Sequence, residues 1–234
     1  MKKLGIIGAM TVEVEQLKAN MTDTAVAVHA GMEFCAGKLE GLDAVVVQCG
    51  VGKVNAAMCA QILCSCYGVT HLVNTGIAGS LCAALDIGDL VVSRDAMYHD
   101  FDCVHFGYEM GRIPGMDVTA FPADDKMIHL AKEAAEAVHP GHVTVGRVAS
   151  GDLFVAEKAV KDRIIAVTGG LCTEMEGAAI AQTAYRNGIP FVILRAISDK
   201  ADNSAEMDYP TFERIAAHRC AQVTVNLAKQ LKAQ

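Results

Sequence analysis

Several things are missing from this 234-residue sequence, and each absence removes a class of function. There is no basic surplus: 20 Lys and Arg face 27 Asp and Glu, a net charge of -7. Binding a phosphate backbone needs a basic patch, so this balance argues against a nucleic-acid partner. No apolar stretch is long and uncharged enough to span a bilayer, so no membrane partner is expected. The opening MKKLGIIGAM has a basic start and a short apolar run, as a secretory signal does. Glu13 and Glu15 follow at once, however, and no small-residue cleavage site closes the run. It reads as the first strand of a cytoplasmic protein. The nine cysteines form no zinc motif. Cys64-Ser65-Cys66 is too short, and no second pair has the right spacing. His99, Asp100, Asp102 and His105 crowd one loop without the spacing of a fixed face, so no metal is expected. No cofactor motif stands out either. Gly5 and Gly8 do not make GxGxxG, and Gly50-Val51-Gly52-Lys53 lacks the spacing of a phosphate loop and the Ser/Thr after Lys that would hold magnesium.

What is present points to one large α/β domain over residues 1–234, a central mixed twisted sheet flanked by helices. The composition, 52% hydrophobic, suits a sheet covered on both faces. Cys49, Cys59, Cys64 and Cys172 sit in apolar segments and read as buried, reduced thiols. Strands are expected at 4–9, 25–29, 32–39, 44–49, 71–74, 90–96, 143–149 and 191–194. Helices are expected at 11–20, 54–67, 124–138, 156–164 and 177–186, with a last one from Tyr209 to Gln234 after a loop at Asn203–Asp208. Residues 98–122 form a long aromatic loop, and a loop of that length in a compact domain usually closes a site or meets a partner.

The segment Thr173–Asp202 organises the rest. An acidic pair, Glu174 and Glu176, precedes a helix that Asn187-Gly188 stops. The apolar run Phe191–Leu194 reads as a buried parallel strand and leads into Arg195, Ser198 and Asp199. Helix and strand run in opposite directions, so Glu176 and Asp199 fall at the same edge, the carboxyl ends of the strands, where open α/β sheets bind ligands. A carboxylate ending a buried strand beside Arg195 and Ser198 is a functional candidate. Glu13 and Glu174, taken alone, read as surface acids, Glu13 suiting the positive end of its helix. Met10, Phe106, Tyr108, Phe154 and Met175, taken alone, read as core or loop packing.

Together these stretches resemble the 5′-methylthioadenosine/S-adenosylhomocysteine nucleosidases, a branch of the nucleoside phosphorylase superfamily. The likeness rests on GIIGAM with Glu13, CGVGKVNAA, NTGIAG, YHD at 98–100, FGYEMGRIPG, SGD at 150–152, EMEGAAIA and RAISDKAD, in that order from residue 3 to the final helix. It implies hydrolysis of an N-glycosidic bond without a cofactor. Asp199 is then the acid that protonates adenine, held by Ser198, and Glu13 the base that polarises water. Glu176 accepts the ribose hydroxyls, and its charge favours the developing cation. Met10 and Met175 pack on the ribose, Phe154 stacks on adenine, and the Val155 backbone reads its edge. Arg195 orients the ribose-side network. Ile77, Ala78 and Gly79 belong to the same pocket. Val51, Cys103, Phe106, Ile113, Pro114 and Tyr209 line the 5′-alkylthio end, the 103–114 loop coming from the second subunit of a homodimer. Two positions depart from the common pattern, Ile77 for Ser and Cys103 for Val. The rivals are a 6-amino-6-deoxyfutalosine hydrolase, a phosphorylase of the same fold, and a nucleoside-binding protein without turnover. A phosphorylase needs cations under the ribose, and the first loop offers Thr11, Glu13 and Glu15 with no Arg or Lys nearby, leaving Lys53 as the one contrary feature.

Overall fold

The computed structural model describes residues 2–202 and 204–234. The chain enters on β1 (Lys3–Gly8) and turns into α1 (Thr11–Ala19). A hairpin series follows, β2 (Met21–His29), β3 (Met32–Leu39) and β4 (Leu42–Gln48), and then α2 (Lys53–Tyr67). Next come β5 (His71–Ser80), β6 (Leu90–Tyr98) and, after a long loop with one short 3-10 turn, β7 (Phe121–Pro122). The second half runs α3 (Asp125–Val138), β8 (Val143–Ser150), α4 (Lys158–Thr168), β9 (Cys172–Glu174), α5 (Gly177–Asn187), β10 (Phe191–Asp199) and α6 (Ala205–Lys232).

The ten strands form one mixed sheet. β1 pairs in parallel with β4 and β5, and β5 with β10, while β2, β3 and β4 are antiparallel neighbours. The sheet is the mixed twisted one expected from the sequence, and it also closes on itself. β10 bonds β5 on one side and β6 on the other, and β6, β8, β9 and β5 complete a ring. The closure depends on strand lengths that the sequence hides. Thr75–Gly79 reads as a glycine-rich turn yet continues β5 to Ser80, and β10 runs on past Leu194 to Asp199, all nine residues buried. A Cβ on Gly76 would fall on Arg195 Nη1 and Glu13 Oε1, and one on Gly79 would lie 2.7 Å from Asp199 Oδ1. These glycines serve close approach inside a strand, a use that sequence pattern does not separate from a turn.

Both faces are covered, as the composition suggests. α2 and α5 pack one side with small residues (Ala56, Ala60, Ala178, Ala181), and α1, α3 and α6 pack the other (Leu17, Leu130, Leu227). The last helix starts at Ala205, four residues before its expected start at Tyr209. Pro210 lies inside its second turn and makes the earlier residues look non-helical. Asn203, where the expected loop opens, lies outside the described residues. No helix among the described residues is long and apolar enough to cross a membrane.

Candidate active site

β1, β5 and β10 lie side by side and in parallel, so their carboxyl ends share one edge. A cavity of about 450 Å³ opens there, within the usual size of a small-molecule site. Glu13, Glu176 and Asp199 all line it.

Glu13 is 2% exposed and so is not the surface acid that its position alone suggests. It sits in the first turn of α1, where the chain leaves β1. The Ala9 and Met10 amides donate to its Oε2 at 2.6 and 3.0 Å, and the Ile77 amide donates to Oε1 at 3.1 Å. Burial raises its pKa, while Arg195 and these three amides pull the other way.

Glu174 is also buried, 7% exposed, against the surface expectation. It closes β9 and caps the next helix: its Oε2 accepts the Glu176 and Gly177 amides at 3.1 and 2.7 Å. Ser150 Oγ and Arg195 Nη2 both donate to it as well. Glu174 thereby satisfies the helix entry and faces the buried guanidinium. Glu176, two residues on, is left with one backbone donor, the Gly52 amide at 2.9 Å. Its remaining capacity faces the cavity. Its carboxyl is pushed up to about 7, first by burial and next by the Glu174 charge, with Arg195 opposing.

Asp199 ends β10. Ser198 Oγ donates to its Oδ2 and the Ala201 amide to its Oδ1, both at 2.8 Å. Ala201 has a φ of +49°, a conformation costly for a residue with a Cβ, and it is fully buried. That turn holds the Asp199 carboxyl against Gly79. Burial raises its pKa, so the carboxyl is tuned toward the protonated form that an acid needs.

The cavity wall collects most of the other candidates. Met10, Val51, Ile77, Ala78 and Gly79 line it, as do Phe154, Val155, Met175, Ser198 and Tyr209. Val51 and Phe154 are 48% and 47% exposed and stand at its mouth. Arg195 does not line the cavity. It is fully buried behind the acids, its Nη2 bonded to Glu174 and, at 2.5 Å, to Asn74 Oδ1. Cys103, Phe106, Ile113 and Pro114 do not line this chain's cavity. Phe106, which taken alone reads as core or loop packing, lies in the long loop and is 81% exposed. Ala9, Leu153, Thr173 and Pro210 also line the cavity, and nothing in their residue types singles them out.

The charge balance restricts what can bind. Glu13, Glu174 and Glu176 surround one guanidinium, so acidic groups outnumber cations there. Lys53, the cation that could favour an oxyanion, is turned elsewhere: its Nζ lies 2.5 Å from Asp100 Oδ2 and 3.6 Å from Asp152 Oδ2. The pocket therefore repels a phosphate dianion and suits a neutral nucleophile such as water. Asp89, His139 and His142 gather their ligand atoms within 4.8 Å of one another, around the amino ends of β6 and β8, and none of the three lines this cavity. The two imidazoles stack at 4.2 Å with 12° between their planes, so their in-plane lone pairs run side by side instead of converging.

The model of the phosphorylase superfamily matches residues 3–229. A 5′-methylthioadenosine/S-adenosylhomocysteine nucleosidase of Chromohalobacter salexigens is 39% identical over 232 residues, 99% of this chain and 98% of its own. The crystal structure of the nucleosidase of the same name from Neisseria meningitidis, in complex with methylthio-immucillin-A, superposes with a TM-score of 0.95 at 34% identity, covering 98% of this chain and 100% of that one. A futalosine hydrolase of Helicobacter pylori superposes with a TM-score of 0.93 at 30% identity, covering 98% of each chain. The chain belongs to the phosphorylase superfamily and, within it, to the 5′-methylthioadenosine/S-adenosylhomocysteine nucleosidases.

Proposed function

We propose that this cavity hydrolyses the N-glycosidic bond of 5′-methylthioadenosine and S-adenosylhomocysteine, and of 5′-deoxyadenosine, releasing adenine and the 5-substituted ribose. The observation that carries this is the convergence of Glu13, Glu176 and Asp199 on one apolar cavity whose nearby cations are both engaged by carboxylates. Departure of adenine leaves positive charge on the ribose and negative charge on the base. Asp199 answers the second: burial favours its protonated form, which delivers a proton to the leaving purine, while Ser198 fixes the carboxyl. Glu13 answers the attack: its carboxylate takes a proton from water as the oxygen closes on the anomeric carbon. Glu176 accepts the ribose hydroxyls and brings negative charge beside the developing cation.

Met10 and Met175 pack on the sugar and Phe154 on adenine, with the Val155 backbone at the edge of the base. Ile77, Ala78 and Gly79 form the wall behind it. Arg195 does not touch substrate; it holds Glu174 and attracts Glu176, and so positions the ribose acceptor. The 5′ group leaves past Val51 and Tyr209.

The active form is a homodimer. Val51, Val54, Met58, Val104, Phe106 and Leu153 are between 41% and 81% exposed. Of these, Val51 and Leu153 line the cavity, and exposed apolar side chains of this size suit a partner surface. A second subunit would bring its Cys103, Phe106, Ile113 and Pro114 to the open 5′ end.

Measuring adenine released from methylthioadenosine, S-adenosylhomocysteine and adenosine, each with and without phosphate, tests the function. The first two are expected to turn over at a rate phosphate does not change, with free 5-thio sugar as product. A sugar 1-phosphate, or turnover that requires phosphate, would make the protein a phosphorylase. The structural likeness to futalosine hydrolase makes 6-amino-6-deoxyfutalosine the second substrate to assay; a strong preference for it would reassign the 5′ pocket.

A further inference from the structure

Tyr209 brings a hydroxyl into an otherwise apolar end of the cavity. The ring stands edge-on to Phe154, centroids 5.6 Å apart and planes at 89°, so it roofs the mouth. Its Oη lies 3.2 Å from Met10 Sδ, to which it donates. A thioether sulfur is a weak acceptor. Among the described residues no donor reaches the phenolic oxygen itself, so both its acceptor positions remain open. Burial, followed by the Glu213, Glu13, Asp199 and Glu176 carboxyls, raises the phenol's pKa and keeps it neutral, with its proton available for a hydrogen bond. The hydroxyl stands beside Met10, the methionine expected to pack on the ribose, and Tyr209 is itself expected at the 5′ end of the pocket.

We infer that Tyr209 Oη is a specificity-determining hydrogen-bond partner for an oxygen on C5′, so that this site accepts adenine ribosides with a free 5′-hydroxyl besides those with a 5′-thioether. This rests on the nucleosidase function proposed above. The exchange on binding is favourable. A ligand 5′-hydroxyl replaces a weak O–H···S contact with an O–H···O bond, and can itself donate to the open phenolic oxygen. A 5′-thioether or 5′-methyl group leaves the existing contact in place and makes apolar contact with Val51. A wholly apolar pocket would disfavour the added hydroxyl, because its desolvation would go uncompensated.

The test compares adenosine with 5′-deoxyadenosine, which differ only in the 5′ oxygen, on the wild type and on Tyr209→Phe. The ratio of kcat/KM for adenosine to that for 5′-deoxyadenosine is expected to fall about tenfold in the variant, the size of one neutral hydrogen bond. Both substrates are read on one preparation, so a smaller folded fraction cancels from the ratio. A ratio unchanged within about twofold overturns the inference, even if both rates fall together. If the wild type releases adenine from no substrate, the nucleosidase function fails instead. The same ratio is then read from dissociation constants by calorimetry, and an unchanged ratio there overturns the inference equally.

Discussion

Arg195 Nη2 lies 3.7 Å from Glu176 Oε2, close enough for charge attraction and too far for a direct hydrogen bond. The same nitrogen is bonded to Glu174. Glu176 therefore feels a cation without being captured by it, and its oxygens stay available to a sugar. The division of labour between two carboxylates separated by one residue underlies the predictions below.

Asp199→Asn keeps the shape and the Ser198 contact but cannot give up a proton. Adenine release is expected to fall by about 10²–10⁴-fold, while a non-hydrolysable nucleoside analogue still binds. Glu13→Gln is expected to lose hydrolysis in the same way. Steady-state kinetics beside calorimetric binding checks both, and wild-type turnover in either variant would remove its role.

Glu176 predicts a pH dependence of stability. Its folded-state value of about 7 lies above the ordinary 4.5. A carboxyl that holds its proton more tightly when folded stabilises the fold at low pH, and that contribution disappears as pH rises through the folded value. The loss between about pH 4.5 and 7 is on the order of 3 kcal/mol at most. Glu176→Gln should therefore flatten the curve of Tm against pH and gain on the wild type at pH 8. Thermal melts from pH 4.5 to 8 would show it; a difference in Tm that is independent of pH would contradict the assignment.

Gly76→Ala places a methyl group on Arg195 Nη1 and Glu13 Oε1 at once. Neither group has room to retreat, since both are buried. Activity is expected to drop at least about 100-fold, with a lower Tm, because misplacing a catalytic group by about 1 Å is that costly. Near-normal kinetics would mean that the base and the guanidinium are not held as described.

Light scattering is expected to give twice the 24.7 kDa chain mass. Phe106→Asp, which puts a charge on an exposed apolar side chain, should shift the protein toward monomer and raise KM for methylthioadenosine. A monomeric wild type with full activity would end the shared-site proposal.

Much of this was legible in the residues. Asp199 and Glu176 could be placed at one edge because Asn187-Gly188 and the run Phe191–Leu194 mark a helix and a strand in opposite directions. The family likeness then brought in Glu13. What stayed hidden shares a physical cause. Glu13 and Glu174 look like surface acids because a carboxylate is normally solvated; only tertiary contacts with backbone amides and Arg195 make their burial tolerable. Gly76 and Gly79 look like turn formers, whereas their use is to let three buried side chains, Arg195, Glu13 and Asp199, approach a strand. The start of α6 was masked by Pro210, and β9, three residues long, is too short for a pattern.

The closed circuit of β5, β10, β6, β8 and β9 has a mechanical corollary. A ladder bonded on both sides at every strand offers no loose end from which to unzip, so amide protons of β10 should exchange only with global unfolding. The outer strand β2 is the contrast: it is exposed along most of its length and has a partner on one side only. Whatever yields when a nucleoside enters or leaves must therefore come from loops and helix ends, because the platform beneath Asp199 and Glu174 cannot give without breaking the barrel.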